Sequence, residues 1–102
     1  YSYHGQDVFL YDRFFYPMGY ASKPGIFVEL GGHDGITGSN TLAFERRGWS
    51  GVLLEPHPTN AKECQKHRAV CWNSCVSNAS WVQFEFSGSE SRVVMGVPKG
   101  EW

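Results

Sequence analysis

Charge of one sign is missing from this sequence. Nine Lys and Arg stand against ten Asp and Glu, a formal net charge of -1, so no basic field gathers nucleic acid or anionic lipid non-specifically. Long apolar runs are missing too: none approaches the ~20 residues that span a bilayer. The chain opens on Tyr1 with neither an initiator Met nor a basic-then-apolar leader, and its last residues, Lys99 to Trp102, carry no stop signal. It is therefore read as a fragment. Cysteine is scarce: Cys64, Cys71 and Cys75 are an odd number without a Cys-x-x-Cys pair, which argues against a zinc site or a disulfide framework. Cys71 and Cys75 on one strand would have Cα atoms ~13 Å apart, beyond disulfide reach. Free, structural thiols are expected, and with them a reducing, cytoplasmic setting. His4, His57 and His67 form no metal-ligand pattern, and no repeat or linker divides the 102 residues, so one domain and no metal are expected.

What is present belongs to a folded globular chain: 41% hydrophobic and 16% aromatic residues against 19% charged. Apolar residues at three- and four-residue spacings from Gln6 to Phe15 predict a short amphipathic helix that stops before Pro17. Ile26 to Leu30 is a continuous β-prone run, the pattern of a strand buried on both faces of a parallel sheet. Ser39 or Asn40 can cap a helix through Thr41 to Arg47, closed by Gly48. Gly51 to Glu55 reads as a second strand ending in an acid, and Pro56 to Thr59 as the turn into a helix over Asn60 to His67. Ala69 to Trp72 is a third strand, and Trp81 to Phe86 alternates by two as a half-exposed fourth. Residues 87–102 are a loop or hairpin. Strands alternating with helices imply an α/β fold with a mainly parallel sheet and right-handed crossovers, in which ligands bind beyond the carboxyl ends of the strands.

The chemistry concentrates at two such ends. Gly31, Gly32 and Gly35 lack Cβ atoms, so the turn after the first strand can take positive φ and let a ligand lie against bare peptide groups, with amide donors aimed at it. Glu55 stands 20 residues beyond Gly35, the spacing at which an acid reaches a ribose in nucleotide-binding βαβ units. A dinucleotide site demands Gly-x-Gly-x-x-Gly, and here His33 occupies the second glycine position. Glu29 and Asp34 would also repel a pyrophosphate, whereas they favour a cationic ligand such as S-adenosylmethionine (SAM), which carries a sulfonium and an ammonium.

Glu29-Leu30-Gly31-Gly32-His33-Asp34-Gly35 resembles the Glu/Asp-x-Gly-x-x-x-Gly first motif of class I SAM-dependent methyltransferases. With Gly5-Gln6-Asp7, Phe27-Val28-Glu29, Ser39-Asn40-Thr41, Gly48-Trp49-Ser50-Gly51 and Leu54-Glu55-Pro56, residues 5 to 86 resemble the FkbM type. The resemblance implies a Rossmann-like three-layer α/β/α fold, here its first half. Glu29, Gly31 and Gly35 would line the methionine end of SAM, Gly32 and Asp34 belong to the same cofactor-binding turn, and Asn40 and Thr41 would touch the cofactor. Glu55 would accept both ribose hydroxyls, and Pro56 and Val76 would border the adenine. Many such enzymes are O-methyltransferases, so a small-molecule or glycan hydroxyl is the implied methyl acceptor. The family's fourth strand carries an Asp-x-Glu-Gly-type motif that nothing after Phe86 matches, so no catalytic base is assigned and the chain alone is expected to be inactive.

Each residue also has a plainer reading. Glu29 can be a strand-end acid capping a nearby helix, Asn40 an N-cap, His33 a solvated turn histidine and Trp49 a residue packed beneath the sheet edge. The competing reading of the whole chain is a non-catalytic relative serving as an interaction or chaperone-like module.

Overall fold

β-prone stretches bounded by glycine and proline become three short parallel strands. The computed structural model describes residues 1–87 and 90–98, those from 79 onward as backbone only. β1 (Ile26–Leu30) pairs with β2 (Ser50–Leu54), Val28 opposite Val52, and β2 pairs with β3 (Cys71–Trp72), Leu53 opposite Cys71. The sheet order is β1-β2-β3. The α/β expectation with a parallel sheet holds at this level. β3 keeps only two of the four residues expected.

Helices fill the crossovers. α1 (Gln6–Leu10) continues into a π-helical turn over Tyr11–Phe15, where Tyr16 N–H donates to Tyr11 O and Tyr20 N–H to Phe15 O, five residues back. The extra residue per turn brings Tyr11 and Phe15 onto Phe44, with ring centroids 6.0 and 5.6 Å away, and Phe15 onto Trp49 at 5.0 Å. Tyr20 joins this cluster, stacked on Trp49 and edge-on to Phe15, each at 5.3 Å. Trp49 is buried there, packed with aromatic rings rather than turned to the strand ends.

α2 (Leu42–Arg46) is shorter than expected, and Ser39 caps the approach to it, its Oγ accepting Leu42 N–H at 3.0 Å and Thr41 N–H at 3.2 Å. Ser39, not Asn40, supplies that cap. α3 (Pro58–His67) starts two residues earlier than expected: Pro58 supplies the first helical φ, and His57 Nδ1 accepts Thr59 N–H at 3.2 Å.

Two expectations are overturned here. Cys64 and Cys71 are joined as a disulfide, Cα atoms 6.0 Å apart, and only Cys75 is free. The pairing arises because the chain leaves α3 through an extended Arg68 and turns straight back into β3, laying the last turn of the helix against the strand. Both sulfurs join Leu53 and the partly buried Phe27 in the core. The case for a reducing compartment rested on free thiols and falls with them, since disulfides persist in oxidising settings. Nor is β1 buried on both faces: Ile26 is 83% exposed, Val28 64% and Leu30 61%. β1 is the sheet's edge, and only the face carrying Phe27 and Glu29 is partly covered.

Beyond β3 the parallel order ends. β4 (Ala79–Ser87) pairs antiparallel with β5 (Glu90–Pro98) in a separate two-stranded sheet. β5 thus pairs with the segment expected as the fourth strand, while residues 88–89 and 99–102 lie outside the described ones, as does the expected half-exposure of the Trp81–Phe86 side chains. Among the described residues no helix is long and apolar enough to cross a membrane.

Candidate functional site

The eleven residues between β1 and α2 form the widest connection in the parallel unit, and a cavity of about 230 Å³ lies over them. Its lining includes Tyr3, Glu29, Gly31, Gly32, His33 and Asn40. Glycine is required here for different reasons at different positions. Gly31 has φ +71° with nothing within 4 Å of the place a Cβ would take, so its backbone is bare towards open space. Gly35, at φ +84°, is instead filled from below: a Cβ would meet Arg68 Cγ at 2.7 Å. Between them His33 also sits at positive φ, +53°, a conformation costly for a residue with a Cβ.

Four of the turn's five amide donors are spent inside the fold and not on the cavity, contrary to expectation. Gly31 and Gly32 N–H both donate to Leu54 O, Gly35 N–H donates to Gly32 O, and His33 N–H donates to Glu55 Oε1 at 2.8 Å. The parallel neighbour β2 runs one residue past β1, and its last carbonyl gathers the turn's first two amides. Polar groups at buried turns find partners inside the fold, and these have done so.

The two strand-end acids are held differently. Glu29 Oε1 accepts from Asn40 N–H at 3.0 Å, Thr41 Oγ1 at 3.2 Å and Ser39 Oγ at 3.4 Å, while Oε2 accepts nothing among the described residues. Burial pushes the Glu29 carboxyl above its ordinary value against these donors and the Arg68 charge. The helix-end role weighed for Glu29 is real, but it occupies one oxygen only. Glu55 is 6% exposed and spends both oxygens on backbone: Oε1 on His33 N–H, Oε2 on His57 N–H at 2.7 Å. Asn73 Nδ2 clamps the same corner by donating to Glu55 O and Pro56 O.

Of the expected site residues, Glu29, Gly31, Gly32 and Asn40 line one cavity, Asn40 contributing its backbone N–H to the Glu29 brace. Asp34 turns inward on its own loop: Oδ1 accepts Ile36 and Thr37 N–H, and Oδ2 accepts Thr37 Oγ1. Burial alone would raise its pKa, yet these donors and His33 hold it well below the ordinary carboxylate range. Glu55 touches the turn from beneath through His33. Pro56 and Val76 are not in the cavity wall; Val76 is exposed on the segment after β3.

Arg68 organises the site and was not singled out by the sequence. Its side chain is fully buried: Nη1 donates to Gly35 O at 2.9 Å and Ser39 Oγ at 3.1 Å, Nη2 to Thr41 Oγ1 at 2.9 Å. Nε lies 3.1 Å from Glu45 Oε2, within ion-pair range but not aligned as a hydrogen bond. The same hydroxyls that Arg68 fixes then donate to Glu29, so a cation from the α3–β3 turn aims the carboxylate at the end of β1. A lone Arg after a helix reads as a solvated helix-end charge. The need for a glycine at position 35 is the only trace its stem leaves in the sequence.

No group of His, Cys, Asp or Glu able to hold a metal ion occurs among the described residues. No protein-family profile, characterised protein or solved structure matches the chain.

Proposed function

We propose that this chain is the SAM-binding part of a methyltransferase of the FkbM type, built on the first half of a Rossmann-like three-layer fold. The observation that carries the reading is the polarity of the cavity. Four of the five amides of the turn from Gly31 to Gly35 are consumed inside the fold, no Lys or Arg lines the wall, and the open polar atom of the brace is Glu29 Oε2. A pyrophosphate requires donors and positive potential; a ligand bearing an ammonium requires a carboxylate and open backbone. The cavity is smaller than the roughly 300–1,000 Å³ of a complete small-molecule site, in keeping with a pocket for the methionine end alone.

On this reading Glu29, with the bare backbone at Gly31 and Gly32, holds the ammonium end of SAM, and Asn40 and Arg68 hold Glu29. Asp34 and Gly35 shape the turn. Glu55 would meet the ribose only by exchanging His33 or His57 N–H for a hydroxyl, with Pro56 and Val76 towards the adenine. SAM supplies an activated methyl group on its sulfonium; the acceptor is a small-molecule or glycan hydroxyl. The chain's own residues position and orient the cofactor.

Titration calorimetry with SAM and with NAD⁺ tests this, Glu29→Gln serving as the control. SAM binding that weakens at least ten-fold in Glu29→Gln, with no heat from NAD⁺, is the expected result. Absence of SAM binding by the unaltered protein would favour the non-catalytic interaction module instead.

A further inference from the structure

A sulfonium presents a difficulty that Glu29 alone does not solve. It carries a full positive charge but no N–H or O–H, so no hydrogen-bond acceptor reads it directionally. An aromatic face reads charge without hydrogen bonds. Besides the imidazole of His33, the cavity wall has one aromatic ring, on a segment far from the glycine motif in sequence.

Tyr3 lines the same cavity as Glu29, Gly31 and His33. Two anchors hold its backbone there. Ser2 forms a parallel bridge with Gly38, and Ser2 Oγ donates at 2.7 Å to Oδ1 of Asp7, which is buried at the start of α1. The ring of Tyr3 lies so closely on Gly38 that a Cβ at that position has no room, and Gly38 itself sits at φ +66°. Yet Tyr3 is 76% exposed. A large ring seated by its neighbours but left uncovered stands at the mouth of the cavity, not in the core.

We propose that Tyr3 caps this cavity and recognises the positive charge of the bound cofactor through the face of its ring. The proposal rests on the SAM reading above and adds to it the residue that separates a charged sulfur from a neutral one. Glu29 takes the ammonium, common to SAM and its demethylated product S-adenosylhomocysteine. Tyr3 takes the sulfonium, which only SAM has. The pocket so built prefers substrate over spent product.

The test is calorimetric titration of the full chain with SAM and with S-adenosylhomocysteine. Tyr3→Ala is expected to weaken SAM about five-fold while shifting S-adenosylhomocysteine less than two-fold. Tyr3→Phe should keep both near the original values, and Tyr3→Leu, which preserves apolar bulk without a π face, should behave like Tyr3→Ala. Equal weakening of both ligands, or none of either, overturns the proposal while leaving the cofactor reading intact. Failure of the unaltered protein to bind SAM removes the cofactor reading, and the proposal with it. Circular dichroism melts of the three variants check that the fold persists; if Tyr3→Ala does not fold, the Phe and Leu pair decides.

Discussion

The ends of β1 and β2 begin from the same plan, an apolar strand with a glutamate within one residue of its end, and arrive at opposite states. After β1 the chain takes eleven residues, glycine-rich, to reach its helix; after β2 it takes three, ending at a proline in the first helical position. The long connection leaves a cavity and an acid with one open oxygen. The short one folds the helix entrance directly onto the acid, so that His57 N–H closes what His33 N–H leaves. What decides whether a strand-end carboxylate is available to a ligand is therefore the length of backbone that follows it, since each nearby amide must find an acceptor.

The largest test of this contrast strikes the brace beneath the open end. Arg68→Met should cost about 3 kcal/mol or more of unfolding free energy, because Glu45 and Glu29 lose the buried cation between them. Urea denaturation measures it, and a loss under 1 kcal/mol would mean that the long loop stands without the α3–β3 turn. Next comes the covalent link that holds Arg68's segment. The double substitution Cys64→Ser with Cys71→Ser should cost about 2–3 kcal/mol, the value for closing so short a loop, and reductant should lower the midpoint of the unaltered protein but not of the variant.

Glutamine then separates the two acids. Glu55→Gln leaves only one acceptor atom for two amides, orphaning His33 or His57 N–H at about 1–2 kcal/mol, whereas Glu29→Gln keeps its loaded oxygen and should cost less. Stabilities of both variants from chemical denaturation give the order; the reverse order breaks the contrast.

Acid titration sharpens it further. Glu29's folded pKa lies above 4.5, so its contribution is fully present below that pH and fades as pH rises through the folded value. Asp7 runs the other way. The Ser2 hydroxyl with the Val8 and Ser2 amides overcomes burial and takes it from 3.8 to about 2, so its stabilisation is present above 3.8 and is lost as pH falls towards 2. Glu29→Gln and Asp7→Asn should remove slopes of opposite sign from stability measured against pH. The smallest expected effect is at Asn40→Ala, under about 0.5 kcal/mol, because Glu29 uses its backbone and not its side chain.

Sequence pattern located what depends on neighbours along the chain. β1 and β2 follow from apolar runs between glycines, α3 from Pro58, and the special backbone of the first turn from Gly31 and Gly35. It failed where two segments meet. Spacing along one strand, which separates Cys71 from Cys75, says nothing of the disulfide, because the bond runs across the reversal from helix to strand. The openness of β1 was missed because an apolar run records what a strand tolerates, not how many neighbours it has. The amides of the glycine turn were expected to face a ligand, but the register of β2 had already claimed them. Arg68 and Tyr3 bear on the site from 33 residues after Gly35 and 35 residues before Gly38, distances at which local periodicity carries no information.

The fully satisfied state of Glu55 has a consequence for recognition at the closed corner. A carboxylate bonded by two amides is not waiting; it already has understudies in the role a ligand would play. Any hydroxyl that reaches it gains only the difference between a new bond and one shared or surrendered, far less than the worth of a bond made to an empty site. Such a corner adds little to tightness, and a ligand lacking the hydroxyls loses correspondingly little. The closed acid is a post that ties two turns together, and the open one keeps an oxygen to spare.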